Sequence, residues 1–561
     1  MRGNDRVKGI LLLFFIGLLS VWAIPARAAE QAGDVTGRLR AIIISARLQD
    51  LRWPDFSDYR IHVDTFYRVS GYALAWVKQG APTAQANEII QLLQDADRKG
   101  LRAEDYDGPR WTARLAKLQA THSADDEVRF DAALTVCLMR YISNLRIGRV
   151  NPRHVKFGYD VSSKRLDLPG FLRLRERFVN GTDLAAEVEK IEPPVVGYRR
   201  LRSAVQQYLE LAQADDGVKL LDPITEVKPG GWYTDTPRLA KRLRLLGDLP
   251  EGATIPADSN IFDGPLVDAV KRFQGRHGLR QLGQLDTDTV REINVPLSER
   301  LEQMRLTLER YRWLPYTFTK PPIVVNVPEF RLRAFSEGLQ LALMMRVNVG
   351  DAYDAQTPVF EDNIRSIIFR PYWNPPPNIL RNEIIPELQK NPDLEEINLE
   401  FVTAGGQVIK KGRVTNQMVQ QVRAGKLAVR QAPGPYNSMG LVKFAFPNVH
   451  SIYLHDTSKA YDAFSEEERS FSHGCIHVQE PAKLAAWLLR DTKGWDLKRV
   501  EQAMQAGPDN VTVNLIPPVP LLIVYGTAVV MENGDVHFFD DIYKLDATLK
   551  QALAKGPPYP R

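Results

Sequence analysis

The chain has 561 residues, more than one hydrophobic core serves, so three or four domains are expected. With 44% hydrophobic and 25% charged residues it fits neither a disordered chain nor a multi-span membrane protein. The net charge of +5 is small for this length and no Lys/Arg run is dense enough to track phosphates, which excludes nucleic acid as the expected partner; mild basicity suits an anionic polymer.

At the N-terminus, Arg2, Arg6 and Lys8 precede an apolar run from Ile10 to Ile24 that only Ser20 interrupts. Pro25-Ala26-Arg27-Ala28-Ala29 then offers small residues for cleavage after Ala28. This is the pattern of a secretory signal peptide over residues 1–28, too short for a comfortable membrane span. An uncleaved N-terminal anchor is the alternative, and only that reading brings the protein close to a membrane. The two cysteines, Cys137 and Cys475, are few for an exported protein braced by disulfides. Cys137 lies in the helical run Phe130 to Leu145 and reads as an inert core thiol rather than one end of a bridge.

Residues 29–225 read as a helical scaffold. Apolar residues recur at helical spacing over Asn87 to Leu93 and Phe130 to Leu145, and Gly100 and Gly148 stand where helices should stop. Residues 226–300 read as a small three-helix module. Thr236-Pro237 opens a helix with Leu239, Leu243 and Leu246 on one face, ended by Gly247. A second starts at Pro265 and a third near Thr287. From Pro321 the pattern becomes that of strands. Ile323 to Val327 is an apolar strand, and Phe330 to Phe335 alternates into a turn at Ser336-Glu337-Gly338 and a return run, Leu339 to Val349. Asn533-Gly534 signals another hairpin. Between them, residues 379–430 lack alternation and read as a helical insertion placed to cap a cleft. Trp373-Asn374-Pro375-Pro376-Pro377 reads either as a groove lining or as a rigid lead-in to that insertion. The expected fold class is thus α+β and multidomain, with a mainly β domain over residues 318–545.

Chemistry concentrates in one window. Four of the nine histidines, His450, His455, His473 and His477, lie between positions 450 and 477 together with Cys475. In Ser472-His473-Gly474-Cys475-Ile476-His477, Gly474 suits a tight turn open to substrate, and a thiol beside imidazoles is placed for activation. His455 ends a β-like run and is the candidate base, with Asp456 orienting it through its side chain or its carbonyl. The N–H groups of Gly474 and Cys475 are candidate oxyanion donors. The same residues would make a metal site only with spacings unlike those of familiar zinc motifs, so neither metal nor cofactor is expected. His450 reads as structural or substrate-lining, and His537 as a satisfied surface or core residue.

His455, sixteen intervening residues and Ser472-His473-Gly474-Cys475 resemble the signature of the L,D-transpeptidases. Gln431 to Pro435, Asn437, Lys443-Phe444, Pro447-Asn448, Tyr453 to Thr457 and Glu480-Pro481 extend the likeness to that family's large branch. Ala269-Val270-Lys271-Arg272-Phe273-Gln274 with Leu285-Asp286 likewise resembles its small peptidoglycan-binding domain. The resemblance implies that Cys475 forms a thioester with the third residue of a tetrapeptide donor stem, releasing D-Ala while His455 shuttles protons. The side-chain amine of a diamino-acid acceptor would then close a 3-3 cross-link. The histidine would be oriented by the Asp456 carbonyl, Ser472, His473 and Tyr453 would line the site, and carbapenems would acylate the cysteine. A periplasmic, wall-associated location is implied. The chain departs from the pattern at His477, where relatives carry Arg or Asn, with consequences expected for carboxylate recognition or pH response. A carboxypeptidase or hydrolase, and an inactive peptidoglycan-binding scaffold, are the competing readings.

Overall fold

The computed structural model describes residues 34–121, 123–173, 184–221, 226–256, 260–394, 398–458 and 464–559. The expected signal peptide, residues 1–28, lies outside them. No helix of the described residues is long and apolar enough to cross a membrane.

The scaffold is helical, as expected. Helices α1 (Arg60–Arg68) and α2 (Ala84–Gln94) accompany the central α3 (Ala124–Ile147), which is buried without interruption from Phe130 to Ile142. A helix buried on all sides belongs in the middle of its domain, and Cys137 is one of its buried residues. Gly100 and Gly148 do end helical segments, both with positive φ. Asp131 is wholly buried in α3, where its carboxylate accepts Tyr67 Oη and Trp76 N at 2.6 Å and Val77 N at 3.1 Å. The last scaffold helix is α4 (Val196–Ala214).

The next module has its three helices, α5 (Thr236–Leu245), α6 (Pro265–Arg276) and α7 (Thr287–Ile293), around Leu239, Leu243, Val270 and Phe273. Helix α8 (Leu297–Tyr311) crosses the junction to the β domain. Its buried Glu309 accepts Arg149 Nε at 3.2 Å and Arg312 Nη1 at 3.3 Å, and Arg312 Nη2 reaches Lys99 O at 2.7 Å. An ion hub of this kind binds scaffold to β domain, because removing one partner would strand a buried charge.

The β domain is built on strands β1 (Ile323–Asn326), β2 (Arg331–Phe335), β3 (Leu341–Gly350), β4 (Val359–Phe369), β5 (Val442–Ala445), β6 (Leu454–His455), β7 (Ser470–Ser472), β8 (Ile476–Val478) and β9 (Val511–Val524). The order is β5-β6-β8-β3-β2-β1-β9-β4, and β4 pairs with β5 in turn, so the sheet closes on itself. Pairing is parallel between β6 and β8 and between β1 and β9, and antiparallel around the rest of the ring. Strand β7 runs beside the end of β3, and the scaffold adds Phe157–Gly158 alongside β4. Val347, Val349, Phe444, Leu454, Ile476 and Val478 fill the interior. Alternation therefore sends Asn348, Lys443, His455 and His477 to the outer face.

The insertion leaves at Trp373 and returns at Gln431, which hydrogen-bond each other through both backbones. The proline run is thus the lead-in to the insertion: its first helical turn begins at Pro377. Asn437 clamps the exit, donating to Pro371 O at 3.0 Å and Ala432 O at 2.9 Å. The insertion has helices α9 (Ile385–Lys390) and α10 (Asn416–Arg423), and also an antiparallel sheet of Glu400–Thr403, Val408–Ile409 and Leu427–Arg430 that was not anticipated. Strands of two to four residues are too short to show a period of two. The Asn533-Gly534 hairpin forms between Ala528–Val530 and Val536–Phe538 and packs on α4 and α8.

Candidate active site

Two adjacent strands bring the chemical residues together. In β6 and β8, Leu454 stands opposite Ile476 and His455 opposite His477. The Ile476 N–H donates to Tyr453 O at 2.9 Å, so Cys475, one residue earlier, lies beside Tyr453. Cys475 therefore shares the outer face with His455 as a diagonal neighbour, a relation that spans about 7–8 Å between backbones and less between side chains. Strand β5 places Lys443 opposite His455, and β3 places Asn348 opposite His477. The His455 and His477 ring centroids are 4.7 Å apart.

The nucleophile turn is held from several sides. Gly474 has φ +100°, a conformation that an L side chain resists. Its carbonyl accepts Thr357 Oγ1 at 3.0 Å, and that same hydroxyl accepts Gly350 N at 2.8 Å. Tyr543 Oη donates to Gly350 O at 2.6 Å. A Cβ at Gly350 would stand 2.9 Å from Gly474 Cα, so the two chains approach this closely only because residue 350 is glycine. Ser472 is buried and its hydroxyl donates to Cys475 O at 2.5 Å while accepting Gly474 N at 3.2 Å. The structure thus gives Ser472 a place inside the turn rather than facing substrate. It also engages the Gly474 N–H, which would have to leave Ser472 to act as an oxyanion donor. His473 turns outward, its Nε2 2.9 Å from Glu383 Oε1 in the insertion's Leu380–Ile384 segment. That contact ties the turn to the insertion and points the ring away from an orienting position.

His455 is buried, and its Nδ1 lies 2.5 Å from the Asp456 carbonyl. A carbonyl only accepts, so Nδ1 carries the proton and Nε2 presents a lone pair. The side chain of Asp456 is committed elsewhere, accepting Leu441 N at 2.8 Å and Thr457 N at 2.7 Å. Of the two ways left open for Asp456 by sequence, orientation through the carbonyl is the one observed. Burial, then the neighbouring His477, holds the His455 imidazole well below its ordinary pKa, against the Asp456 contact. Burial likewise raises the Cys475 thiol, opposed by the Tyr453 backbone N–H and the Lys443 ammonium. Both shifts favour a resting pair of neutral thiol and neutral imidazole at pH 7.

Lys443 has no role of its own in the sequence pattern, yet its Nζ lies 3.4 Å from the Tyr453 ring centroid and acts electrostatically on Cys475. The outward position in the strand Val442–Ala445 was its only sequence signal. Thr357, Tyr543 and Glu383 gave none. His450 is exposed at the rim, its ring centroid 5.0 Å from that of Phe360, and His537 belongs to the C-terminal hairpin. Both cysteines are free thiols, Cys137 buried and Cys475 half-buried. Among the described residues, no group of three or more His, Cys, Asp or Glu is arranged to hold a metal ion.

Residues 321–511 match the L,D-transpeptidase catalytic domain, residues 234–293 match the "Putative peptidoglycan binding domain", and residues 62–205 match the scaffold domain. A Haemophilus influenzae protein named "Putative L,D-transpeptidase" is 27% identical over 299 residues, which cover 52% of this chain and 58% of the relative. The chain thus spans little more than half of that relative's length. Among solved structures, an L,D-transpeptidase from Stackebrandtia nassauensis is 11% identical, covering 55% of this chain and 96% of its own, with a TM-score of 0.19. A fused Zn-dependent amidase/peptidase/peptidoglycan-binding domain-containing protein from Clostridium acetobutylicum is 12% identical, covering 54% and 99%, with a TM-score of 0.13. TM-scores this low carry no comparison of fold. Through its three domain matches, the chain carries the catalytic domain of the L,D-transpeptidase family joined to a scaffold domain and a peptidoglycan-binding domain.

Proposed function

We propose that the chain is an extracytoplasmic cysteine acyl-transferase that cross-links peptidoglycan stem peptides, exported by a signal peptide over residues 1–28. Cys475 is the nucleophile and His455 the base. Nε2 of His455 takes the thiol proton as Sγ bonds to the carbonyl carbon of the third stem residue. The amide bond to the terminal D-Ala then breaks, and the departing amine takes the proton back from His455. The side-chain amine of a second stem attacks the thioester, loses its proton to His455 and releases the thiol. Each step conserves protons through one imidazole and needs neither metal nor cofactor.

The observation that carries this reading is the shared outer face of Cys475 and His455 on paired strands, with Nδ1 tied to the Asp456 carbonyl. A fixed tautomer makes Nε2 a base aimed by the backbone. Tyr453 and His477 flank the pair and would contact the donor. Ser472, Gly474 and His473 shape the turn, and the Cys475 N–H is the preferred oxyanion donor. Incubation of the full chain with tetrapeptide muropeptides should give dimers by mass spectrometry, and a carbapenem should leave one covalent adduct. Cys475→Ala should abolish both. Tripeptides without dimers would make the enzyme a carboxypeptidase, and cross-linking that survives Cys475→Ala would overturn the assignment.

A further inference from the structure

A cleft of about 780 Å³ opens where scaffold, peptidoglycan-binding domain, β domain and C-terminal hairpin meet, and neither Cys475 nor His455 lines it. Its floor is the outer face of β2 and β3, where Arg331 stands directly opposite Arg346. Like charges opposed across strands are destabilising, so their retention needs a counter-charge. Arg333 has one: its two terminal nitrogens reach Glu329 at 2.5 and 2.6 Å. Arg346 reaches Glu467 at 3.3 Å and Phe464 O at 2.7 Å. Arg469, buried, donates only to carbonyls, among them Val347 O and Phe330 O, each at 3.2 Å. The side chain of Arg331, half-buried, makes no hydrogen bond or ion pair among the described residues, and neither does that of Arg200 on the opposing scaffold wall. Four guanidinium groups on the floor thus face two carboxylates, while Glu468, Glu532 and Asp540 stand exposed at the rim. Burial, and Arg346 against the pull of Glu329, hold Arg331 below the usual guanidinium range; burial and Arg346 push Arg469 down to about 10. All remain cations at neutral pH.

We propose that this cleft is a second binding site, taking a carboxylate-bearing peptide with Arg331 as its anchor. Phe335 and Met344, on the same floor, offer apolar surface to the peptide's body. The occupant is a stem peptide of the wall polymer, a choice that rests on the function proposed above. It is favoured because Gly278 and Gln281 of the peptidoglycan-binding domain form part of the wall. Reach also agrees. Arg346 precedes Gly350, the residue in contact with the nucleophile turn, by four positions on β3, about 13 Å. An extended tetrapeptide spans about the same distance, so the cleft floor and the nucleophile turn lie about one stem's length apart along β3.

The test uses the full chain with Cys475 alkylated, so that the catalytic cleft is blocked, and calorimetric titration with a synthetic stem tetrapeptide. The free-carboxylate peptide should bind in a salt-sensitive manner, and the peptide with its carboxylates amidated should not. Arg331→Gln should weaken binding about tenfold or more, as expected for a lost charge-assisted contact. Arg331→Lys should keep part of it, and the alkylation rate of Cys475 in Arg331→Gln should match the parent, which checks the fold. Binding within twofold of the parent in Arg331→Gln, equal binding of the amidated peptide, or equal binding of inorganic phosphate would overturn the site. If peptide binding depends on Arg331 while muropeptides are never cross-linked, the cleft stands and the catalytic reading falls.

Discussion

Gly440→Ala probes whether the backbone around Asp456 aims the catalytic imidazole. Gly440 has φ +59°, and an added Cβ would stand 2.4–2.6 Å from the Cγ, Oδ2 and Cβ of Asp456. Two costs follow. Holding an alanine in the left-handed region costs about 1–2 kcal/mol. Displacing Asp456 would in addition strip acceptors from Leu441 N and Thr457 N, at about 1–3 kcal/mol for each donor left unpaired. Gly425→Ala isolates the first cost, because Gly425 has φ +67° with open space around it. The two variants should therefore share a loss of about 1–2 kcal/mol in chemical unfolding, with a further loss only at position 440. The functional reading is sharper. The carbonyl that fixes His455 belongs to the residue that must move, and a misplacement near 1 Å costs about a hundredfold in rate. Carbapenem acylation of Cys475, followed by intact mass, should slow about a hundredfold in Gly440→Ala and stay unchanged in Gly425→Ala. Acylation within threefold of the parent in Gly440→Ala, at a confirmed extra loss of stability, would refute backbone aiming.

Alkylation of Cys475 by iodoacetamide should rise continuously with pH above neutrality, since burial raises the thiol and keeps His455 neutral; a plateau already reached near pH 6 would instead report a preformed thiolate–imidazolium pair. Lys443→Met should slow that alkylation several-fold at fixed pH, because the Lys443 charge lowers the Cys475 pKa; an unchanged profile would remove Lys443 from the site. Asp131 gives a pH signature in the scaffold. Burial raises its carboxyl from 3.8 to about 6, so between those values the folded state binds more protons than the unfolded one and stability falls as pH rises. The full effect is about 3 kcal/mol. Asp131→Asn should be less stable overall yet lose that slope in urea midpoints measured from pH 4 to 7, and an undiminished slope would assign it to other groups.

The elements that sequence reveals here are those whose signal is local. Phe330 to Phe335 alternates because one face meets the interior, and the strand forms over Arg331–Phe335 with that burial pattern. Helix α3 is dominated by apolar residues from Phe130 to Leu145, so a buried helix is readable there from the sequence. Cys475 and His455 stand out in the sequence because their residue types and spacing coincide within one window. What escaped depends on distant pairing. Thr357 and Tyr543 brace the turn from 118 and 68 positions away from Cys475, and nothing near them in sequence marks that role. The sequence sets Ser472 and His473 beside Cys475 but leaves their directions open, because a one-residue step on a strand reverses the face and a turn leaves it undetermined. The insertion's short strands rest on a core of Leu388, Phe401 and Val419 assembled from separated segments.

The presence of a histidine at position 477 acquires a physical meaning from the register. His477 is paired with the residue proposed as the base, and its charge, when present, depresses the His455 pKa. An arginine there would be a permanent cation at every working pH. A histidine is a cation only in acid, so its influence on the base grows as pH falls. Substitution at this position therefore bears on the acid limb of the rate profile as much as on the recognition of a carboxylate.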